Sequence, residues 1–267
     1  MAVEKRSLIV GNWKMNGLSA SAAQVSTLVD WLDSTKPGDS AEAAESAMVG
    51  GIVICPPATL LSEFSEILAD SAIMLGGQDC HTAASGAYTG DISAEMLADA
   101  GAEWVILGHS ERRTGHGESN DIVSQKLVAA LQAGLRVIVC VGEDEAERAD
   151  GEALNIVSSQ LTESLPDIVA ANQLAIAYEP VWAIGGDVTA GPDDIGNMHG
   201  FIHSRLLAIL GADGADVPVL YGGSVKPDNA AEVLAIKGVD GLLVGGASLE
   251  AADFLRIIEC GFTPDPA

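Results

Sequence analysis

The chain has 267 residues, 48% of them apolar and only 4% aromatic, and its 38 acids against 13 Lys and Arg give a formal net charge of −25. An aliphatic core of that size suits many short strands buried on both faces. The acidic excess argues against nucleic acid and anionic membranes as partners.

No apolar run reaches the roughly 18 residues of a membrane span. Met1 to Arg6 leads into a strand-like segment without a signal peptide's apolar stretch and cleavage site. Cys55, Cys80, Cys140 and Cys260 are scattered, with no C-x-x-C pair. Reduced thiols in a cytoplasmic protein, with neither a disulfide frame nor a zinc site, are the expectation.

In chain order, eight β-rich or small-apolar runs recur, each followed by a helix-compatible stretch. They are Leu8–Trp13, Ile52–Cys55, Ile73–Gly77, Trp104–Gly108, Val137–Val141, Leu174–Tyr178, Val219–Gly222 and Gly241–Val244. Helical spacing is plain in Ile122, Leu127, Val128 and Leu131, and again in Ile195, Met198, Phe201, Ile202 and Leu206. Ser119-Asn120-Asp121 precedes the helix of the fourth unit, Pro192-Asp193-Asp194 opens that of the sixth, and Lys226-Pro227-Asp228-Asn229 that of the seventh. The polar, Ala-rich Ser34–Ser46 reads as an extended surface connection.

Strands alternating with helices throughout imply parallel strands joined by right-handed crossovers. Eight units in about 250 residues match an α/β fold of the single-domain (β/α)8 barrel type, covering 1–267. A doubly wound open sheet is the rival. It would carry G-x-G-x-x-G after the first strand, and Gly11-Asn12-Trp13-Lys14-Met15-Asn16-Gly17 lacks that spacing.

Chemistry in such a barrel collects at the C-terminal strand ends. The first ends Gly11-Asn12-Trp13-Lys14, where an ammonium closing an apolar strand must find an anion. Either it is a surface lysine or it anchors an anionic substrate and its developing oxyanion. The fourth ends Gly108-His109-Ser110-Glu111-Arg112-Arg113, with His109 at the start of a helix, where added positive charge is disfavoured. A neutral imidazole there can donate to a carbonyl and shuttle a proton, and Glu111 can pair with Lys14. The sixth ends Tyr178-Glu179-Pro180, where the proline stops the strand and leaves Glu179 at the lip. The loop beyond holds Trp182. Glu179 is either an exposed acid or a general base beneath a hinged lid. Gly222-Gly223-Ser224 and Gly245-Gly246 follow the last two strands, where side-chain-free backbone can cradle a phosphate.

Seven segments carry a resemblance. They are Gly-Asn-Trp-Lys-Met-Asn (11–16), Gly-Ala-Tyr-Thr-Gly (86–90), Gly-His-Ser-Glu-Arg-Arg (108–113), Val-Cys-Val-Gly-Glu (139–143), Ala-Tyr-Glu-Pro-Val-Trp-Ala-Ile-Gly (177–185), Tyr-Gly-Gly-Ser-Val (221–225) and Val-Gly-Gly-Ala-Ser-Leu (244–249). In this order on these strand ends, the chain from Val10 to Leu255 closely resembles the triosephosphate isomerase family, whose fold is the TIM barrel. The resemblance implies interconversion of dihydroxyacetone phosphate and glyceraldehyde 3-phosphate, with no metal or cofactor. It makes Glu179 the base and neutral His109 the electrophile, assisted by Lys14 and Asn12. Backbone at Gly185, Ser224, Gly245 and Gly246 would hold the phosphate, with Ser110, Glu111 and Cys140 in support. The same resemblance implies a homodimer, with Gly86–Gly90 as the protruding loop and Thr89 at its tip.

The lid spans Pro180, Val181, Trp182, Ala183, Ile184, Gly185, Gly186, Asp187 and Val188, and it departs from the family's usual Thr-Gly-Lys after Gly185. Asp187 places a carboxylate on a loop that should cover a phosphate dianion, which favours weaker substrate affinity. Three other readings compete: an isomerase of a related ketose phosphate such as a tetrulose phosphate, a Schiff-base lyase using Lys14, and a non-catalytic phosphosugar-binding protein. A lysine beside Glu111 stays protonated, which disfavours the lyase. Binding alone requires neither Glu179 nor His109.

Overall fold

The computed structural model describes residues 7–35, 51–166, 169–184 and 190–262. Eight parallel strands close into a barrel in sequence order: β1 (Leu8–Asn12), β2 (Gly51–Cys55), β3 (Ile73–Gly77), β4 (Trp104–Leu107), β5 (Arg136–Val141), β6 (Leu174–Tyr178), β7 (Val219–Tyr221) and β8 (Gly241–Val244), with β8 pairing back onto β1. The doubly wound alternative is excluded by that closure. Each strand lies within a residue of its sequence expectation. The first stops at Asn12, because Lys14 takes a left-handed backbone with φ 53°.

Strand side chains alternate between two cores. One set fills the barrel: Leu8 and Val10, Val53 and Cys55, Trp104 and Ile106, Ile138 and Cys140, Ala175 and Ala177, then Leu220 and Leu243. The complementary set, including Ile9, Ile54, Val105, Val139, Ile176 and Val219, packs outward against the helices. This double burial explains why the strands read as continuous apolar runs.

The helices are α1 (Ala22–Thr35), α2 (Leu61–Leu68), α3 (Ala94–Asp99), α4 (Ser110–His116), α5 (Asn120–Gln132), α6 (Glu145–Ala149), α7 (Ala153–Ser164), α8 (Pro192–Leu210), α9 (Ala230–Leu234) and α10 (Ala251–Gly261). Ser119 caps α5 through its hydroxyl, and α8 opens on Pro192 as expected. Three expectations need correction. Helix α9 begins only at Ala230, after a turn in which Asn229 Oδ1 accepts from Lys226 N. Helix α1 runs on through Thr35, so Ser34 and Thr35 are helical, and 36–46 lie outside the described residues. The fully buried face of α5 is Val123, Lys126, Leu127, Ala129 and Ala130, whereas Ile122, Val128 and Leu131 are only partly covered. Helix α8 buries Ile195, Met198, Ile202 and Leu206 as its spacing predicts, together with His199, and Phe201 is partly buried.

Candidate functional site

The inward alternation runs to the last residue of β1 and continues past the ends of β5, β6 and β7, and this sets up the site. Leu8 and Val10 are followed by Asn12, and Ala175 and Ala177 by Glu179, so Asn12 and Glu179 point to the barrel axis at the C-terminal mouth. Ile138 and Cys140 are followed by Gly142. A Cβ there would lie 1.8 Å from the carbonyl oxygen of Glu179, so a side chain would push the acid's own backbone away. Gly222, next inward after Leu220, leaves just enough space beside Glu179, whose Cγ would be 3.1 Å from an added Cβ. Backbone bonds from Glu179 N to Val141 O (2.8 Å) and from Gly222 N to Tyr178 O (2.7 Å) fix the acid between strands β5 and β7.

His109 reaches the mouth by another device. Gly108 takes φ 65°, outside the range an L side chain adopts easily, and turns the chain out of β4 into α4. His109 then caps α4, and its Nδ1 accepts the Glu111 N–H at 3.2 Å. A ring nitrogen that accepts must present its lone pair, so the ring proton sits on Nε2. That atom lies 3.0 Å from Glu179 Oε1.

Glu179 is 2% exposed and His109 6%. The carboxylate is otherwise satisfied by Ser110, whose N–H donates to Oε2 at 3.0 Å and whose hydroxyl donates to Oε1 at 3.1 Å. Cys140 lies beneath: burial pushes its thiol well up, and the charge of Glu179 and a hydrogen bond to it add to the shift. Arg113 braces the floor by donating to Gly108 O, Cys140 O and Asn120. Burial lowers its guanidinium from the usual range.

Lys14 Nζ is ion-paired with Glu111, and Asn12 Oδ1 accepts Lys14 N at 3.0 Å. Gln78 holds the same turn by donating to Lys14 O and Cys55 O. One cavity of about 640 Å³ joins Asn12, Lys14, His109 and Glu179 to Gly222, Gly223, Ser224, Gly245 and Gly246 across the mouth. A one-turn helix starts at Gly246, where the leading N–H groups lack intrahelical acceptors and can face an anion.

The structure thus brings Asn12, Lys14, His109, Glu179, Ser224, Gly245 and Gly246 to one cleft, with Ser110, Glu111 and Cys140 around it. Thr89 is exposed on a separate loop. In the lid segment, Pro180 to Ile184 are described, with a one-turn helix at Val181–Ala183, whereas Gly185, Gly186, Asp187 and Val188 lie outside the described residues. Among the described residues no cluster of His, Cys, Asp and Glu could hold a metal, and no helix is long and apolar enough to cross a membrane.

Sequence reasoning missed Glu143, fully buried at the end of β5. Its Oε1 accepts from Tyr178 OH (3.0 Å) and Trp182 Nε1 (2.8 Å). The signals were an acid directly after Gly142 at a strand end and its place closing the Val-Cys-Val-Gly-Glu segment, a place that by itself implies no role. The sequence shows Tyr178 only as the last strand residue before Glu179; burial pushes its hydroxyl far up, and the charge of Glu143 adds to this.

A buried carboxylate thus lies against an imidazole at the mouth of a closed (β/α)8 barrel, across one cavity from two glycine pairs. That fold and cleft define a barrel protein of the enzyme class. Residues 7–261 match the family model for triosephosphate isomerase. The chain is 51% identical to a triosephosphate isomerase of Bradyrhizobium diazoefficiens, over 94% of this chain and 96% of the relative. It is 52% identical to that of Xanthobacter autotrophicus, over 96% and 97%. The crystal structure of triosephosphate isomerase from Bartonella henselae superposes with a TM-score of 0.86 at 45% identity, covering 96% of this chain and 98% of that one. The chain belongs to the triosephosphate isomerase family, isomerases of the aldose–ketose type.

Proposed function

We propose that the chain interconverts dihydroxyacetone phosphate and D-glyceraldehyde 3-phosphate through an enediolate, serving glycolysis and gluconeogenesis. The observation that carries this reading is the 3.0 Å approach of His109 Nε2 to Glu179 Oε1 inside a cleft that also holds Lys14 and two glycine pairs. Glu179 takes the proton from the carbon beside the carbonyl and returns it to the neighbouring carbon. To do so it gives up its bonds to Ser110, which are dipoles that a substrate can replace. His109 donates from Nε2 to the carbonyl oxygen and moves protons between the two enediolate oxygens. Lys14, held by Glu111, and Asn12 stabilise the charge that develops there. The phosphate lies on the backbone at Ser224, Gly245 and Gly246, with Gly185 as a further donor. No step calls for a metal or cofactor.

We further propose a homodimer working in the cytoplasm. Met15 (96% exposed), Leu18, Tyr88, Ile92 and Met96 are large apolar groups left uncovered on the β1–α1 and β3–α3 connections and on α3. These loops adjoin, because Gln78 donates to Lys14 O. Such a surface in a chain this acidic suits a second copy with its own Thr89 loop. All four cysteines are free, in keeping with a reducing compartment.

The test is a coupled assay with glyceraldehyde 3-phosphate beside four-carbon ketose phosphates, on wild type and Glu179→Gln. Activity with the triose phosphate that disappears in Glu179→Gln is the expected result. Preference for a tetrulose phosphate would replace the substrate assignment, and an active Glu179→Gln would remove the base.

A further inference from the structure

One guanidinium outside the cleft touches both ends of the connection that leaves β6 and enters α8. Arg148, on the short helix α6, lies with its Cζ 4.0 Å from the ring centroid of Trp182, three residues after Glu179. Its Nη2 donates to Asp194 Oδ1 at 2.7 Å, and Asp194 Oδ2 in turn accepts Gly191 N at 3.2 Å, where the chain returns. Its Nη1 lies 3.6 Å from Glu143 Oε1, the oxygen that already takes the Trp182 and Tyr178 protons. Glu143 also accepts Val181 N through its carbonyl at 3.1 Å. Among the described residues Glu143 Oε2 is buried without a hydrogen-bond partner, and Oε1 of this fully buried carboxylate is met by two neutral donors and the edge of one cation.

We propose that Arg148 is a positioning residue for the reaction: it fixes the Glu179–Trp182 leg against the end of β5 and ties that leg to the start of α8. The inference rests on Glu179 being the base. The physical case is one of leverage. Val181 N and Trp182 Nε1 both hang from Glu143, and the Arg148 guanidinium covers the face of the indole. Stacking of a planar guanidinium orients the indole, and the Arg148–Asp194 bond orients the guanidinium. Neither Arg148 nor Asp194 lines the substrate cavity, so neither touches the reacting atoms.

The experiment compares Arg148→Met, Arg148→Lys and Asp194→Asn with wild type and Glu179→Gln. It measures kcat, KM, the inhibition constant of inorganic phosphate, and the ¹⁹F spectrum of fluorotryptophan-labelled protein assigned with Trp182→Phe. Arg148→Met should lower kcat about tenfold, as misplacing a base from a distance does. The phosphate constant, set chiefly by Ser224, Gly245 and Gly246 across the barrel with Gly185 as one further donor, should change by clearly less than kcat, and the Trp182 resonance should shift. Arg148→Lys keeps a cation but not the fork, so it should recover only part of the rate. Asp194→Asn should act in the same direction, with little added effect in the double variant. Wild-type kcat with an unmoved Trp182 resonance in Arg148→Met would overturn the proposal, as would equal losses in kcat and phosphate binding. Should Glu179→Gln keep its activity, the underlying assignment of the base fails instead, which separates the two ideas.

Discussion

Two groups of buried charge lie near the C-terminal rim of this barrel, and they are held in opposite ways. In the first, Lys126 binds both oxygens of Asp79 (2.7 and 2.8 Å) and Glu118 Oε1 (2.6 Å), while Arg112 binds Asp79 Oδ2 (2.8 Å) and Glu118 Oε1 (2.7 Å). Two acids thus meet two bases, and Glu118 and Lys126 are 7% and 6% exposed. In the second, Glu179 is just as buried but is met by a backbone N–H, a hydroxyl and an imidazole, none of them a fixed cation. A carboxylate clamped by two cations cannot leave them without stranding charge. One held by exchangeable dipoles can trade them for a substrate. The difference is what the base proposed at Glu179 requires and what the Lys126 cluster lacks.

The largest effect expected from that contrast is on turnover. Glu179→Gln keeps the size of the side chain, exchanges one acceptor oxygen for an NH2 donor and removes the proposed base, so kcat should fall by roughly 10²–10⁴-fold. Its melting temperature should move little, because the amide oxygen can keep the Ser110 N–H while the NH2 donates to the Ser110 hydroxyl, which rotates to accept. A large loss of stability with turnover spared would place Glu179 in the same category as Glu118. The mirror experiment is Lys126→Met, which leaves Asp79 and Glu118 facing one another with Arg112 alone. Removing one partner from a buried ionic network costs about 3–5 kcal/mol. Denaturant unfolding should show that loss, with kcat per folded molecule largely retained.

Acid titration sharpens the contrast further. Burial raises the Glu118 carboxyl, but the hydrogen bond and charge of Lys126, with Arg112, outweigh burial and bring it below its ordinary 4.5. A group whose folded pKa is depressed contributes stability above its unfolded value and loses it as pH falls through the folded one. Glu118 therefore supports the fold at neutral pH, and its support fades below about pH 4.5. Asp79 shifts the other way, raised from its ordinary 3.8 because desolvation exceeds the help of Lys126. It takes up its proton earlier, which favours the folded state as pH falls and offsets part of the loss. The stability gap between wild type and Glu118→Gln should therefore narrow as pH is lowered from 6 to about 3.5. A gap that stays constant or widens would show that Glu118 does not carry the depressed value.

How much of this the sequence discloses follows from the range of each interaction. The eight strands are legible because both faces of each are buried, so apolarity runs unbroken between polar connections. Glu179, His109, Lys14 and the glycine pairs are legible because a charged, aromatic-ring or side-chain-free residue ending an apolar strand breaks that local pattern. The ion cluster is not legible: Asp79 and Lys126 are 47 positions apart, and a lysine on the buried face of α5 runs against the helix's own periodicity. Nor is the reason for Gly142, which lies in the backbone of Glu179 rather than in any property of the glycine's neighbours in sequence. Burial of Glu143 by Tyr178 and Trp182 likewise joins β5 to β6 and is invisible until the two strands pair.

The smallest effect comes from an ion pair that has the chemistry of the cluster but not its burial. Arg256 Nη2 and Asp228 Oδ1 meet at 2.8 Å on the outer rim of the cleft, with side chains 58% and 88% exposed. Water solvates both groups whether or not they pair, so the bond adds little to what solvent already provides. Exposed pairs of this kind contribute about 0–1 kcal/mol and are screened by salt. Arg256→Gln should shift the melting temperature by no more than a degree or two, and moderate salt should erase even that. Breaking this one exposed bond should thus cost several-fold less than breaking the three buried bonds of Lys126, with burial the main source of the ratio. An Arg256→Gln loss as large as that of Lys126→Met, persisting in salt, would mean that charge pairing rather than desolvation sets the cost of breaking these bonds. The distinction drawn between the cluster and the Glu179 site would then lose its physical basis.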